Sequence, residues 1–167
     1  MICRIAILCA AFVLTVAAQS PGRETPAGPE QPVPYNHKHH VGTLKLRCNM
    51  CHPNKDPGEL MGLPAASVCM QCHQSVKTDS PAIRKLTEYA KSSRPVKWVR
   101  VYEIPTYVFF SHRAHAEAKN TCQECHGDVA SQELMSKQVN LNMSGCMSCH
   151  KTKNASNDCT YCHEQRN

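Results

Sequence analysis

The stretch CNMCH, Cys48 to His52, organises this chain, because its pattern, C-x-x-C-H, occurs five times. The other copies are CMQCH (Cys69 to His73), CQECH (Cys122 to His126), CMSCH (Cys146 to His150) and CTYCH (Cys159 to His163). Together the copies contain ten of the twelve cysteines and five of the ten histidines. Any account of this protein must therefore explain the repeated motif.

The spacing within the motif suits covalent attachment of a haem. Residues three and four apart share one face of a helical turn. Two thiols can therefore add to the vinyl groups of one haem, while the following histidine binds the iron. The predicted cofactors are five covalently bound haem c groups. The predicted thioether cysteines are Cys48, Cys51, Cys69, Cys72, Cys122, Cys125, Cys146, Cys149, Cys159 and Cys162. The predicted proximal iron ligands are His52, His73, His126, His150 and His163.

Two other uses of paired cysteines compete with haem. Zinc sites are also built from C-x-x-C pairs, and secreted chains use cysteines for disulfides. Neither use requires a histidine directly after the second cysteine. With 10 histidines in 167 residues, five such coincidences favour haem over both.

The five remaining histidines fall into two similar clusters, YNHKHH (Tyr35 to His40) and FSHRAH (Phe110 to His115). Each cluster reads aromatic-x-His-x-x-His and is followed by two C-x-x-C-H motifs, with the fifth motif appended at Cys159. This is a two-fold internal repeat. The predicted distal iron ligands are His37, His40, His112 and His115.

The fifth haem has no obvious distal ligand. His39, Met143 and Met135 are candidates, and an open iron is a further alternative. The sequence does not decide among them.

The amino terminus resembles an export signal. Arg4 precedes an apolar run from Ile5 to Ala18, and this run is too short to span a bilayer but suits a signal peptide. Cleavage is expected after Ala18, in a bacterial periplasmic context; the alternative is an uncleaved membrane anchor. Cys3 and Cys9 would leave with the signal, so no disulfide is expected in the mature protein.

The domain plan follows from composition. Residues 19–34 carry five prolines and two glycines and are expected to form a disordered leader. Residues 35–167 are expected to form the pentahaem domain, with halves at about 35–91 and 105–167 joined by 92–104.

The residues between the second and third motifs are expected to form a helix followed by an extended stretch. Ser80 and Pro81 suit the N-cap and first turn of a helix running to about Lys91. Its apolar face, Ile83, Leu86 and Ala90, is expected to pack against a porphyrin. The side chains of residues 96–104 are expected to alternate between two faces, as in a strand. Trp98 in this stretch is expected to pack against the edge of a haem.

The fold class predicted is mainly α and irregular, with short helices at the motifs and at most one short strand pair. Aromatic residues make up only 5% of the chain, so its own core would be thin and porphyrins must supply apolar surface. The formal charge of +6 falls to +5 without Arg4, and the propionates of five ferrous haems bring it to about −5. Nucleic-acid binding is therefore not expected.

The histidine pairs and haem motifs resemble the class III multihaem cytochromes, the c3/c7 group. Further stretches are similar to the pentahaem cytochrome c subunit of alternative complex III, a quinol-oxidising respiratory complex. These stretches are VPYNHKHHVG, MGLPAASVCMQCH, VKWVRVYEIPTYVFFSHRAH and CQECHG. The c3/c7 resemblance implies that His37 serves the Cys48/Cys51 haem and His112 the Cys122/Cys125 haem. It implies distant haems for His40 and His115 and leaves open which haems these are, a crossing between the two halves being one possibility.

The function expected is periplasmic electron transfer in a respiratory chain, between redox partner proteins that include a quinol-oxidising membrane complex. Histidine on both faces of each iron leaves no room for a substrate, so the chain is expected to be an electron carrier and not an enzyme. The alternatives are a multihaem reductase of the nitrite or sulfite type with one open haem, and a zinc-binding structural module.

Overall fold

The computed structural model describes residues 28–56 and 58–164 of the 167-residue chain. The predicted signal peptide and residues 19–27 of the predicted leader lie outside this part. The described residues form short helices joined by irregular segments. The α-helices are α1 (Cys48–Cys51), α2 (Ala66–His73), α3 (Pro81–Lys91), α4 (His112–Glu117), α5 (Cys122–His126), α6 (Met143–Thr152) and α7 (Cys159–His163). A π-helix spans Lys38–Thr43 and a 3₁₀-helix spans Val129–Ser131.

The predicted fold class is confirmed. Five of the α-helices coincide with the five C-x-x-C-H motifs, and all elements are short. No strand occurs in residues 28–56 and 58–164; the β-pairing there is one isolated antiparallel bridge between Asn54 and Met61. The chain is thus arranged around its motifs and not around a sheet.

Helix α3 begins and ends where the sequence predicts. Ser80 has extended dihedral angles at the N-cap, Pro81 is the first helical residue, and the helix ends at Lys91. Pro81 fits this place because the first helical residue needs no intrahelical N–H partner.

The apolar face of α3 packs differently from the prediction. Leu86 is only 3% exposed and forms a small core with Val33, Ala66 and Val96. Ile83 and Ala90 pack against this same core. The face therefore packs against α2 and the segments around residues 33 and 96.

The predicted strand at residues 96–104 is not observed. Its alternating side chains have no neighbouring strand within the described residues, so no ladder forms. Trp98 packs against the core, and its Nε1 donates to the Pro64 carbonyl oxygen at 2.8 Å. The indole thereby anchors this segment to the start of the α2 region.

The end of the predicted leader is part of the folded body. Val33 is 4% exposed, and the Gln31 side chain exchanges two hydrogen bonds of 2.9 Å with the backbone of Val99. The backbone bends at Pro32 and Val33. Ordered structure thus begins before residue 35.

The two halves contact each other through their short helices. The Lys38 amide, in the π-helix, donates to the Gln132 carbonyl oxygen at 2.8 Å, and its side chain pairs with Glu133 at 2.9 Å. The π-helix therefore lies against the segment that follows α5. No helix within the described residues has the length and apolar character needed to span a bilayer.

Candidate haem-binding sites

The five motifs are numbered as sites 1 to 5 in chain order, and local capping explains why several of them are helical. Thr121 and Glu124 form a reciprocal capping box at the start of site 3. The Asn142 side chain accepts from the Gly145 amide before site 4, and the Asp158 side chain accepts from the Thr160 amide before site 5. These caps give hydrogen-bond partners to backbone amides at the start of each helix, and they therefore stabilise even a helix of five residues.

At sites 1 and 3 the motif histidine faces the first histidine of a cluster. The rings of His37 and His52 have centroids 6.5 Å apart and planes 7° apart. The rings of His112 and His126 also lie 6.5 Å apart, with planes 3° apart. The two copies of the repeat thus place their imidazoles in nearly the same way.

This separation fits one iron held between two imidazoles. A metal–nitrogen bond of about 2 Å, with about 1.1 Å from that nitrogen to its ring centre, places two opposed ring centres about 6.2 Å apart. The observed 6.5 Å matches this spacing, and the nearly parallel ring planes suit two imidazoles that hold one iron between them.

At sites 2 and 4 the motif histidine faces the second histidine of the cluster. His40 lies 6.2 Å from His73 with planes at 57°, and His115 lies 6.0 Å from His150 with planes at 44°. Both pairings stay within one half of the repeat. The sequence left the partners of His40 and His115 open, and the structure places a motif histidine of the same half opposite each ring.

Backbone carbonyls orient most of these rings. His52 Nδ1 donates to Gly62 O at 3.0 Å, and His73 Nδ1 donates to Val76 O at 3.0 Å. In the second half, His112 Nδ1 donates to Glu59 O at 2.8 Å. Further bonds of this type join His40 to Asn36, His115 to Ser111, His150 to Ser156 and His163 to Tyr107. With the proton on Nδ1, each Nε2 keeps its lone pair for a metal.

Each cluster also contains an aromatic ring that touches both of its histidines. Tyr35 lies 4.7 Å from His37, edge to face, and 4.5 Å from His40, stacked. Phe110 repeats this with His112 at 4.8 Å and His115 at 4.5 Å. The sequence reading did not assign these rings a role, although both precede their first histidine by two residues.

Burial favours the neutral form of His37, the first histidine of the first cluster. It lowers the pKa of His37 to about 4, with further contributions from the nearby His52 and His40. Burial is also the main reason that the pKa of His126 is lowered, followed by His112 and His52. His37 Nδ1 is buried without a hydrogen-bond partner. A neutral buried imidazole of this kind is a good metal ligand.

Site 5 differs from the others. The Tyr107 ring lies 6.2 Å from the His163 ring, with planes 18° apart. The Tyr107 carbonyl oxygen accepts from His163 Nδ1 at 3.3 Å. Site 5 is thus bordered by a tyrosine, where sites 1 to 4 each have a facing histidine.

The candidate distal ligands of site 5 have varied surroundings. The exposed His39 ring lies beside His40, 5.5 Å away and edge to face. Met143 is the first residue of α6 and is 63% exposed, and Met135 is half-buried. The distal ligand of site 5 stays a prediction.

Several apolar side chains in and beside the motifs are partly exposed. Met50, Met147 and Tyr161 lie inside motifs and are 49%, 41% and 53% exposed. Val76 and Tyr107 border sites 2 and 5 and are also exposed. Flat apolar porphyrins at the motifs would cover such side chains, so this donor set and its surroundings fit haem.

Bare zinc fits less well. In residues 28–56 and 58–164, no group of three or more His, Cys, Asp or Glu side chains is arranged to hold a metal ion. A structural zinc site needs four converging ligands. The paired imidazoles instead leave a gap between them, and a haem iron fills such a gap.

The sequence is similar to those of known multihaem cytochromes. A family model described as cytochrome c7 and related cytochrome c matches residues 108–164. The chain is also 33% identical, over 163 residues, to the multihaem cytochrome c subunit of menaquinone reductase from Nitratidesulfovibrio vulgaris strain Hildenborough. That match covers 81% of this chain and 77% of the relative. The chain belongs to the multihaem cytochromes c. As a member of this family it carries covalently bound haem c and transfers electrons.

Family membership tests two of the predictions made from the sequence. The c3/c7-type resemblance and the interpretation as an electron carrier are both confirmed. The finer resemblance, to the pentahaem subunit of alternative complex III, stays a prediction. The relative found belongs to a menaquinone reductase.

Proposed function

We propose that this multihaem cytochrome c binds five haems and works in the periplasm as the electron-transfer subunit of a membrane quinone oxidoreductase. The observation that carries the proposal is the set of four facing histidine pairs, with ring centroids 6.0 to 6.5 Å apart. The fifth haem rests on the fifth complete motif, Cys159 to His163.

Each part of the chain has a defined role in this proposal. The motif cysteines hold the haem edge, and the motif histidines bind iron from one face. His37, His40, His112 and His115 bind from the other face at sites 1 to 4. Bound haem supplies an iron that gains and loses one electron without a change of ligands.

The surrounding residues make that exchange easier. Carbonyl acceptors such as Glu59 O and Gly62 O fix ring orientation and raise the basicity of the imidazole. Two imidazole ligands favour a lower reduction potential than one imidazole and one thioether. A rigid ligand set of this kind needs little rearrangement when the charge on iron changes.

The partner and the compartment rest on two supports. The relative is named as a subunit of menaquinone reductase, which makes a quinone-linked membrane complex the expected partner. The apolar amino-terminal run is typical of an export signal.

Both points can be tested in native cells. A tagged chain should be recovered from the periplasmic side of the membrane, together with subunits of a quinone oxidoreductase, and cleaved after Ala18. A variant with Arg4 and the apolar run deleted serves as the control, and it should accumulate without haem. Recovery of the full-length chain as free protein in the cytoplasm would contradict the proposal.

The haem content has its own test. A pyridine haemochrome assay on the exported protein should give five haems per chain. The double variant Cys159→Ser with Cys162→Ser should give four. An unchanged count in that variant would show that site 5 does not hold a haem.

A further inference from the structure

The four facing histidine pairs are of two kinds, which differ in the angle between the rings. At sites 1 and 3 the ring planes are nearly parallel, 7° and 3° apart. At sites 2 and 4 the planes are tilted by 57° and 44°. Each half of the repeat thus contains one parallel pair and one tilted pair, and the tilted pair always includes the second histidine of the cluster.

The second histidine of each cluster is held twice by one backbone carbonyl. The Asn36 carbonyl oxygen accepts from the amide of His40 at 3.2 Å and from its Nδ1 at 2.9 Å. The Ser111 carbonyl oxygen accepts from the amide and the Nδ1 of His115 at 3.3 and 2.8 Å. Because the backbone and the ring share this acceptor, the helical turn that contains the histidine also fixes the plane of its imidazole.

The side chains of the same two residues stabilise these turns. The Asn36 side-chain oxygen accepts from the His39 amide at 2.8 Å, and Ser111 Oγ accepts from the Ala114 amide at 3.2 Å. Both bonds join a residue to the third residue after it, as an N-cap does. Asn36 and Ser111 also occupy the same place in the repeat, between the aromatic residue and the first histidine. Each residue therefore caps the turn with its side chain and orients the second histidine with its carbonyl.

The first histidine of each cluster is oriented differently from the second. In the first cluster the Tyr35 ring lies edge to face against His37, with planes 81° apart, and stacks on His40 with planes 24° apart. Phe110 has the same relation to the two histidines of the second cluster, at 90° and 30°. The two histidines of one cluster thus present their rings in different planes, which agrees with one parallel pair and one tilted pair in each half.

The two kinds of pair also differ in their hydrogen bonds. In the part of the chain that the structure describes, both imidazoles of sites 2 and 4 donate from Nδ1 to a backbone carbonyl. At sites 1 and 3 one imidazole of each pair does so, His52 and His112 respectively. A hydrogen bond from Nδ1 makes an imidazole a stronger electron donor to a metal. An iron at site 2 or 4 would therefore be held by two strong donors.

We propose that Asn36 and Ser111 are positioning residues that make sites 2 and 4 a class of haem site distinct from sites 1 and 3. Stronger donation stabilises ferric iron more than ferrous iron, so sites 2 and 4 have lower reduction potentials than sites 1 and 3. Electrons that enter the protein therefore rest on sites 1 and 3 first. This inference rests on the proposed function, because it concerns iron bound between the facing histidines.

Electron paramagnetic resonance of the oxidised, fully loaded protein tests the two classes. The largest g value of a low-spin ferric haem rises as the planes of its two imidazoles turn away from parallel. Among sites 1 to 4 we expect two haems with a smaller value, from sites 1 and 3, and two with a larger value, from sites 2 and 4. When the same signals are followed in a redox titration, the haems with the larger value should have the lower midpoint potentials. One common g value, or the reverse order of potentials, would overturn the proposal.

Exchanging the two capping residues gives a matched set of variants. Asn36→Ala should broaden the larger-g signal of site 2 and raise its midpoint potential, because the loosened turn weakens the Nδ1 bond of His40. Ser111→Ala should do the same at site 4. Asn36→Ser and Ser111→Asn each introduce the residue that the other copy of the repeat carries, so both should keep the signals and potentials of the unaltered protein.

The outcomes separate a positioning role from a structural one and from the proposed function. If both alanine variants melt at a lower temperature while all signals and potentials stay unchanged, the caps only support the fold and the proposal is wrong. If an alanine variant does not fold, the signals of the unaltered protein decide. A haem count below five refutes the proposed function, whereas a five-haem protein in which sites 1 to 4 are alike refutes the two classes alone.

Discussion

Replacing His112 by alanine tests the facing-pair geometry directly. The variant removes the imidazole that lies 6.5 Å from the His126 ring. The methyl group of alanine is too short to reach an iron between the two positions. Site 3 should therefore become five-coordinate while the other sites keep their ligands. We expect about one fifth of the haem to turn from low-spin to high-spin.

The variant should remain folded. It loses the hydrogen bond from His112 Nδ1 to Glu59 O, a contribution of about 1 kcal/mol, which lowers the melting temperature by a few degrees. Electron paramagnetic resonance of the oxidised protein and carbon monoxide binding to the reduced protein measure the change. Carbon monoxide should bind one additional iron per chain.

His39→Ala is the matched control. His39 is exposed, and its ring faces no motif histidine. Sites 1 to 4 should keep their low-spin signals in this variant. A loss of one low-spin site in His39→Ala would make His39 the distal ligand of site 5. A His112→Ala spectrum without any high-spin signal would refute the pairing of His112 with His126.

Three further predictions concern the surroundings of the sites. Tyr35→Ala should shift the potentials of sites 1 and 2 together, whereas Tyr35→Phe should not, because Phe110 fills the equivalent place; site-resolved redox titration measures both. Leu86→Ala should destabilise the loaded protein by about 2 to 5 kcal/mol in denaturant unfolding, since Leu86 is buried, and an exposed control, Leu60→Ala, should cost far less. The pKa of His37 is lowered to about 4, below the value of about 6.5 in an unfolded chain. Its neutral form therefore stabilises the fold fully above about pH 6.5, and this stabilisation is lost as the pH falls towards 4. Acid titration followed by haem absorbance should therefore show a stable spectrum at pH 5, and a transition near pH 6 would contradict this.

The haem motifs and the two histidine clusters could be read from the sequence because they depend on short-range patterns. A cysteine, a second cysteine and a histidine at fixed spacing must share a helical turn, as in α5. The two histidine clusters stood out because the same pattern preceded the same motif twice. The helix from Pro81 to Lys91 was equally local, since its boundaries depend on Ser80 and Pro81.

What the sequence missed depends on contacts between distant segments. Leu86 was placed against a porphyrin because no pattern reveals that Val33, more than fifty residues earlier, covers it. The pairing of Gln31 with Val99 and the bond between Trp98 and Pro64 are long-range in the same way. Carbonyl acceptors such as Glu59 O could not be predicted either, since every residue offers a carbonyl and only the fold selects one.

Mass spectrometry of the exported, intact protein tests the central claim most directly. The predicted mass is that of residues 19–167 plus five haem groups, and peptides should carry one haem at each of the five motifs. A mass without the increment of five haems, or a motif peptide with two free thiols, would contradict the account.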